Sequence, residues 1–184
     1  MREERAAVVA LICIAQNGAI ARDGKPIYSF PSVNKKFDDI TRLYPNIIVG
    51  RKTFEEDRFP LDDRFHLVLT NDKTHCPYIV PNVAYYNMDQ IKQILYGNPK
   101  ATFCVMGGLD TYKLLLPYID RWIIVNVSDP EISASDQSEE YTLLKTSTFL
   151  SSFYYERYSN YEDIDKISGR KLKYTICKYI RTKE

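Results

Sequence analysis

Five short apolar segments dominate the pattern of hydrophobic and polar positions along the chain. Each is rich in Val, Ile or aromatic residues and is bounded by Gly, Pro, Asn or charged residues. Continuous apolarity without alternation is typical of strands that are covered on both faces, as in a parallel sheet. The predicted strands are Ala6–Ala15, Asn46–Gly50, Phe65–Thr70, Ala101–Gly108 and Trp122–Val127.

Helix-like segments separate these strands. In the first of them Ser32 offers an N-cap, and Val33, Phe37 and Ile40 recur at helical spacing. The alternation of strand and helix predicts an α/β fold with right-handed crossover connections. The predicted helices are Ser32–Leu43, Arg51–Asp57, Met88–Tyr96 and Asp110–Leu116.

The last third of the chain has a different pattern. Phe153–Tyr161 and Lys171–Ile180 are strand-like and partly alternating, and a polar link that contains Gly169 joins them. This arrangement predicts an antiparallel hairpin that finishes the sheet. The long polar stretch from Ser128 to Thr148 is predicted to be a surface loop. No internal repeat or composition boundary interrupts the sequence, so we expect a single domain over residues 1–184.

Composition and charge exclude several classes of protein. The chain has 184 residues, of which 45% are hydrophobic, and its 25 basic and 24 acidic residues give a net charge of +1. Such a balance is unlike that of a nucleic-acid-binding protein with a broad basic face. No apolar run approaches the roughly 18 residues of a membrane span, and Glu3 and Glu4 disfavour a signal peptide. We therefore expect a cytoplasmic protein that binds neither nucleic acids nor membranes.

Cysteine and histidine positions give no metal-binding or redox motif. The four cysteines are far apart and form no CxxC pair, which favours buried, reduced thiols. The two histidines, His66 and His75, leave little for a histidine-based metal site or a Ser-His-Asp triad. We therefore predict no metal centre. The cysteines are Cys13, Cys76, Cys104 and Cys177.

Candidate chemistry lies directly after the predicted strands, because ligands of open α/β sheets bind outside the carboxyl ends of the strands. Gly50–Thr53 places two cations and a hydroxyl at the start of a helix, which suits a phosphate or, alternatively, a solvated basic turn. Val105–Tyr112 places Gly107 and Gly108 at a strand-to-helix junction, which suits a diphosphate or simply a tight turn. Asn17–Pro26 is predicted to be a loop that either closes over a ligand or is an ordinary surface connection.

Three ordered segments together resemble the dihydrofolate reductase family over nearly the whole chain. They are VGRKT (Val49–Thr53), PLDDR (Pro60–Arg64) and MGGLDTYKLLLP (Met106–Pro117), and the final hairpin is also similar. The resemblance implies a three-layer fold with a mostly parallel central sheet, helices on both faces and a C-terminal antiparallel hairpin. It also implies an NADPH-dependent reductase that converts dihydrofolate to tetrahydrofolate, and a cis peptide bond between Gly107 and Gly108.

The resemblance further implies roles for individual residues. Lys52 would be the partner of the adenosine 2′-phosphate of NADPH, and Arg64 would pair with the glutamate carboxylate of folate, as an arginine does well. The implied cofactor-binding residues are Cys13, Ile20, Gly50, Arg51, Lys52, Thr53, Leu69, Thr70, Asn71, Met106, Gly107, Gly108, Leu109, Asp110, Thr111 and Tyr112. The implied substrate-binding residues are Ile12, Val33, Phe37, Leu61, Arg64 and Val125.

The pterin side departs from the family pattern. The acidic residue that assists protonation of the pterin is replaced by Val33, and its threonine partner is replaced by Val125. Valine can neither hydrogen-bond a pterin nor donate a proton. Tyr28 stands where the family has a loop tryptophan, and it is the candidate for a catalytic residue, with the proton donor left unassigned.

Two alternatives therefore stay open beside dihydrofolate reduction. The reductase domain of riboflavin biosynthesis also lacks the acid, and the spacing from Phe30–Phe37 to Val49–Asp57 is similar to it. The substrate would then be a ribosylamino-pyrimidine or another heterocycle rather than a pterin. The other alternative is a homologue that keeps the fold without catalysis. We expect a monomer or a homodimer in each case.

Overall fold

The structure is a computed structural model that describes residues 4–55, 59–72 and 80–182. The chain groups into two compact units. Unit 1 comprises Met1–Ala10 and Asp39–Asp120, and unit 2 comprises Leu11–Asp38 and Arg121–Glu184. That residues 1–184 form a single domain stays a prediction.

Strands and helices are interspersed through the first two thirds of the described chain. The strands are β1 (Ala7–Ala15), β2 (Ala19–Arg22), β3 (Lys25–Pro26), β4 (Asn46–Gly50), β5 (Phe65–Leu69), β6 (Val83–Tyr86), β7 (Thr102–Val105), β8 (Arg121–Ser128), β9 (Tyr141–Leu143), β10 (Phe153–Ile164) and β11 (Lys171–Arg181). The helices are α1 (Pro31–Leu43), α2 (Arg51–Phe54), α3 (Met88–Gly97) and α4 (Leu109–Leu115). Short 3₁₀ turns cover Leu116–Tyr118, Thr146–Thr148 and Leu150–Ser152.

Unit 1 is built on parallel strands. Their order is β1-β7-β4-β5-β6, and every neighbouring pair in this series is parallel. The centre of β4, at Ile47, Ile48 and Val49, is fully buried. Burial of consecutive residues requires cover on both faces of the strand, which explains the continuous apolar run in the sequence.

Local sequence features determine where helix α3 of unit 1 begins and which of its faces is buried. Asn87 accepts a hydrogen bond from the backbone N–H of Gln90, and the Gln90 side chain accepts one from the N–H of Asn87, which forms a capping box. Ile91 and Leu95 lie one turn apart and are both fully buried. The helix therefore begins at a local signal and is held by one apolar face.

Unit 2 carries the antiparallel part of the fold. The order of its strands is β10-β11-β8, and both β10–β11 and β11–β8 are antiparallel. A second, small sheet has the order β3-β2-β9. The side chain of Trp122 on β8 is fully buried, and its ring packs against Phe149 at 4.8 Å between centroids.

The predicted fold class, a mostly parallel sheet with helices and a C-terminal antiparallel hairpin, is confirmed. Two segments differ from their predictions, and the strand β6 (Val83–Tyr86) was not predicted. Asn17–Pro26 contains β2 and β3 rather than only a loop, and the polar stretch from Ser128 to Thr148 contains β9. The difference arises because β2 pairs with β9, more than 100 residues later in the chain, and no local pattern reports such a pairing.

Helix and strand ends otherwise agree with the predictions to within a few residues. The helix predicted over Arg51–Asp57 is described from Arg51 to Phe54, and its last two predicted residues lie outside the described ranges. None of the described helices is long and apolar enough to span a lipid bilayer.

Candidate functional site

The carboxyl ends of three parallel strands lie at one edge of the unit 1 sheet. Gly50 at the end of β4 is in register with Leu69 at the end of β5. Ile48 of β4 is in register with Val105 at the end of β7. The chain segments that follow these three strands therefore start from the same edge, which is where ligands of α/β sheets bind.

Backbone hydrogen bonds join the two turns that the sequence analysis singled out. The N–H of Gly50 donates to the carbonyl oxygen of Gly107 at 2.7 Å, and the N–H of Met106 donates to the carbonyl oxygen of Ile48 at 3.0 Å. The Gly107–Gly108 peptide is cis, so this prediction is confirmed. Gly107 has φ +110°, a backbone conformation that favours glycine. The segments Gly50–Thr53 and Gly107–Tyr112 thus lie side by side.

Side chains are excluded from the closest approach of these two turns. A Cβ atom on Gly50 would lie 2.6 Å from Oγ1 of Thr111, and a Cβ atom on Gly108 would lie 2.9 Å from Oγ1 of Thr53. Both distances are shorter than any real carbon–oxygen contact. The two glycines and two threonine hydroxyls therefore form a backbone-lined cradle, which we call the glycine cradle. Gly97, at the end of α3, has no such constraint, because a Cβ atom there would meet nothing within 4 Å.

Two cations lie on α2 at the rim of the glycine cradle. Nη1 of Arg51 donates to both carboxylate oxygens of Glu55, at 2.8 and 3.2 Å. Lys52 is exposed and makes no hydrogen bond or ion pair with any of the residues that the structure describes. Neither α2 nor α4 has a side-chain N-cap, because Gly50 and Gly108 occupy the two cap positions. Amide donors are therefore present together with an ammonium group that has no partner among the described residues, which is the donor set that a phosphate needs.

The third strand end contributes polar groups at the same edge. The backbone N–H of Thr70 donates to the carbonyl oxygen of Tyr86 at 2.9 Å, and the Thr70 hydroxyl accepts from the N–H of Asp72 at 3.1 Å. Leu69 is buried and Asn71 is exposed. An apolar side chain next to an exposed amide is an arrangement that suits the face and edge of a purine ring.

Arg64 lies buried at the end of the segment that precedes β5. Its Nη1 donates to the carbonyl oxygen of Asp62 at 2.5 Å, and its Nη2 donates to Oγ1 of Thr41 on α1 at 3.1 Å. Only 3% of Arg64 is exposed, and Thr41 is fully buried. These bonds fix the plane of the guanidinium. Thr41 was missed by the sequence analysis, since a single threonine on a helix gives no signal of its partner.

His66 lies two residues further along and is fully buried. Its Nε2 accepts a hydrogen bond from the backbone N–H of Leu61 at 3.1 Å. Burial lowers the pKa of His66 and the nearby charge of Arg64 lowers it further, against backbone hydrogen bonds with Asn82 and Arg64 that raise it. The imidazole is therefore neutral at physiological pH. The sequence analysis treated His66 only as a poor candidate for a metal ligand.

The residues predicted for the pterin side belong mostly to unit 2, and their side chains are apolar and buried. Ile12 on β1 and Val33 on α1 are each 3% exposed, and Val125 on β8 is fully buried. Phe37 is half-buried. Positions 33 and 125, where the resemblance implies an acid and a threonine, both carry valine. Leu61 and Arg64, the other predicted substrate-binding residues, belong to unit 1.

Tyr28 is held by an ion pair of unit 2. Its hydroxyl donates to Oδ2 of Asp129 at 3.2 Å, and Asp129 accepts two hydrogen bonds from Arg170, at 2.6 and 2.7 Å. Burial raises the pKa of Asp129, but the hydrogen bonds from Arg170 and from the backbone N–H of Glu131 outweigh it, so the net shift is downward. Asp129 directly follows β8, and its place after a strand was the signal that could have identified it.

Burial raises the pKa of two further candidate groups, Tyr28 and Cys13. Burial raises the pKa of the Tyr28 hydroxyl, and the negative charge of Asp129 raises it further. Burial raises the pKa of the Cys13 thiol to about 12, with a contribution from Asp165. Both groups therefore keep their protons at neutral pH. Ile20, the other predicted neighbour of the nicotinamide, lies on β2.

The remaining cysteines and histidine fall partly outside the described residues. Cys104 and Cys177 are buried free thiols, whereas Cys76 and His75 lie outside the described residues. Within residues 4–55, 59–72 and 80–182, no group of three or more His, Cys, Asp or Glu side chains is arranged to hold a metal ion.

The sequence matches the profile of one known family. The profile is that of dihydrofolate reductase, and the match runs over residues 7–181. The chain belongs to the dihydrofolate reductase family. The match covers all three motif segments and the C-terminal hairpin, so the resemblance stated from the motifs is confirmed.

A solved structure of a dihydrofolate reductase has the same fold. It is the enzyme from Enterococcus faecalis, complexed with NADP(H) and RAB-propyl, and it superposes with a TM-score of 0.72. The similarity covers 97% of this chain and 99% of that chain at 20% sequence identity. At this identity the likeness establishes the fold alone. The comparison with curated proteins found no match.

Proposed function

We propose that the chain is an NADPH-dependent reductase that converts dihydrofolate to tetrahydrofolate. The observation that carries the proposal is the hydrogen bond from Gly50 to Gly107, which brings the two predicted phosphate-binding turns together as the glycine cradle. Membership of the family and the shared fold with an enzyme complexed with NADP(H) support the same assignment. The proposal includes that residues 1–184 form a single domain, that the enzyme is cytoplasmic, and that it is a monomer or a homodimer.

The proposed binding of NADPH uses charge and backbone amides rather than large side chains. The glycine cradle accepts the diphosphate because no Cβ atom blocks its backbone N–H groups. Lys52 is the proposed partner of the 2′-phosphate, since Arg51 is already bonded to Glu55. When bound, NADPH supplies the hydride, and the protein positions it and excludes competing reactions.

The proposed substrate site depends on Arg64. The guanidinium is held in one plane by Asp62 and Thr41, and a guanidinium with a fixed plane is suited to bidentate pairing with a carboxylate. In the proposed function this partner is the glutamate carboxylate of dihydrofolate. Fixing the arginine before binding reduces the side-chain entropy that is lost on association.

Protonation of the substrate is the weak step of the proposed reaction. Val33 has no proton to give, and the hydroxyl of Tyr28 donates to Asp129 and has a raised pKa. A positioned acid contributes about 10²–10⁴-fold to a rate. We therefore expect protonation from solvent water, and turnover slower by a factor of this order than in a relative that retains the acid.

Reduction of another heterocycle is the second candidate function. The observation that favours it is the burial of two valines, Val33 and Val125, where a pterin would need polar partners. A ribosylamino-pyrimidine or a similar substrate would not require an acid at position 33. Tight NADPH binding together with no turnover of dihydrofolate would favour this candidate, whereas the absence of NADPH binding would favour a homologue without catalysis.

The experiment that tests the proposal measures NADPH binding by calorimetry and NADPH oxidation with dihydrofolate. Gly50→Ala places a Cβ atom 2.6 Å from Thr111, so we expect it to weaken NADPH binding at least tenfold. Gly97→Ala is the matched control, because a Cβ atom there meets nothing within 4 Å. Equal NADPH affinity of the two variants would contradict the role of the glycine cradle. No oxidation above background at micromolar enzyme would remove dihydrofolate as the substrate.

A further inference from the structure

The segment Leu61–Arg64 is held at two points by side chains of unit 1. The backbone N–H of Leu61 donates to Nε2 of His66. One residue later, the carbonyl oxygen of Asp62 accepts from the guanidinium of Arg64. The segment that carries Arg64 is therefore fastened partly by His66, a residue without a role in the family motifs quoted above.

The position of the His66 ring is itself fixed by its neighbours. The ring centroids of Phe54 and Phe59 lie 5.8 and 5.9 Å from that of His66, and the Phe59 ring is edge-on to it. The residue is fully buried on β5. A side chain enclosed in this way has little rotamer freedom, so Nε2 stays aimed at the segment.

The hydrogen bond from Leu61 requires one protonation state of His66. A ring nitrogen accepts a hydrogen bond only when it carries no proton, so the neutral ring has its proton on Nδ1. Burial and the adjacent Arg64 charge both favour the neutral ring. The acceptor at Nε2 is therefore present under ordinary conditions.

We propose that His66 is a positioning residue for the substrate: by accepting the Leu61 N–H it holds Leu61–Arg64 in the conformation in which Arg64 pairs with an anionic substrate tail. The inference rests on the proposed function, because it takes Arg64 as the carboxylate partner. His66 itself touches no substrate. Its effect is confined to ligands that carry a carboxylate tail, since only these use Arg64.

The test measures the affinity of dihydrofolate and of a tail-less dihydropterin by calorimetry. His66→Leu removes the acceptor and keeps an apolar side chain, and losing one hydrogen bond of this kind corresponds to a factor of about 3–10. We expect dihydrofolate to bind more weakly by that factor. The tail-less dihydropterin and NADPH should bind as they do to the unchanged protein. His66→Gln, whose side-chain oxygen reaches a similar distance, should restore dihydrofolate binding.

A control variant separates positioning from general loss of stability. Val68 lies on the same strand and is also fully buried, but its side chain has no polar atom and accepts no hydrogen bond from Leu61, so Val68→Ala keeps the bond to His66. We expect it to lower the free energy of unfolding without changing the ratio of dihydrofolate to dihydropterin affinity. If Val68→Ala changed this ratio as much as His66→Leu does, the inference would be overturned.

Hydrogen exchange of the Leu61 amide gives a readout that needs no ligand. The amide should be protected in the unchanged protein and in His66→Gln, and should exchange faster in His66→Leu. Equal exchange rates in all three would overturn the inference. If dihydrofolate binds equally well to His66→Leu, the inference fails while the proposed function stands. If the unchanged protein binds NADPH but no dihydrofolate, the inference falls together with the folate assignment, and the reductase assignment remains.

Discussion

Single residues decide the chemistry that this member of the dihydrofolate reductase family can perform. Val33 and Val125 are both buried, and neither side chain has a polar atom. In the proposed function, these two apolar residues stand in place of the proton donor and of the hydrogen-bond partner of a pterin. Because the proposed cofactor-binding residues do not include Val33 or Val125, we expect the two parts of the activity to be separable by substitution.

Restoring the acid tests this interpretation at one residue. Val33→Asp should tighten binding of the diaminopyrimidine inhibitor methotrexate by about 10–100-fold, because a hydrogen bond to a charged group contributes about 1.5–3 kcal/mol. The free variant should also be less stable, since the new carboxylate is buried without a partner. Calorimetric titration of methotrexate checks the affinity. Val33→Asn, in which the new side chain has the shape of Asp without the charge, is the control. If both variants bind methotrexate with the affinity of the unchanged protein, residue 33 does not face the inhibitor.

Among the secondary-structure elements, the turn between β10 and β11 is hydrogen-bonded to the residue that follows Tyr28. Asp165 is fully buried. Its carboxylate accepts from the backbone N–H of Ser29 at 2.7 Å and from the N–H and hydroxyl of Ser168 at 2.8 and 2.6 Å. The N–H of Lys166 donates to the carbonyl oxygen of Ser29 at 2.8 Å. The hairpin turn therefore orders the same segment that carries Tyr28.

Replacing this carboxylate by an amide should loosen the turn. In Asp165→Asn one carboxylate oxygen becomes an NH₂ group, which faces N–H or O–H donors and leaves at least one of them without an acceptor. We expect the free energy of unfolding to fall by about 1–3 kcal/mol, the cost of an unsatisfied buried group. Urea denaturation measures the change. Glu162→Gln on the same hairpin removes only an exposed pair with Lys171, so we expect a much smaller loss. A loss as large as that of Asp165→Asn would contradict this account.

The elements predictable from sequence were those specified by local patterns. The strand Asn46–Gly50 has the predicted bounds because a continuous apolar run ends at a glycine. The start of α3 was predictable because Asn87 and Gln90 form a cap within four residues. The short strands β2 and β9 were not predictable, since four and three residues have no periodicity and their pairing is non-local.

In the candidate site, too, some features could be predicted from local sequence patterns and others could not. The close approach of Gly50 and Gly107 followed from the rule that parallel strands end at one edge, and from the family motifs. Contacts such as Tyr28 with Asp129 or Arg64 with Thr41 join residues that are 101 and 23 positions apart. Nothing in the separate segments indicates which donor meets which acceptor, so these contacts required the folded structure.

At the scale of the whole molecule, the predicted cofactor residues are concentrated in unit 1. Gly50–Thr53, Leu69–Asn71 and Met106–Tyr112 belong to it, whereas Cys13 and Ile20 belong to unit 2. A ligand that binds only the folded chain stabilises it by mass action, whichever unit supplies the contacts. Thermal unfolding of the entire chain therefore reports cofactor binding without any assumption about the substrate.

Addition of NADPH should raise the unfolding temperature by an amount that can be calculated. At a concentration one hundred times its Kd, a ligand adds about 2.7 kcal/mol, and for a chain of this size each kcal/mol corresponds to about 2–4 °C. We expect a rise of about 5–10 °C, measured by scanning calorimetry at fixed salt.

NADH at the same concentration should give a smaller rise, because it lacks the 2′-phosphate that Lys52 is proposed to bind. Lys52→Gln should then reduce the difference between the two cofactors while leaving the NADH response unchanged. If NADPH and NADH stabilise the unchanged protein equally, Lys52 does not select between them; if neither does, the glycine cradle holds no dinucleotide and the cofactor assignment fails.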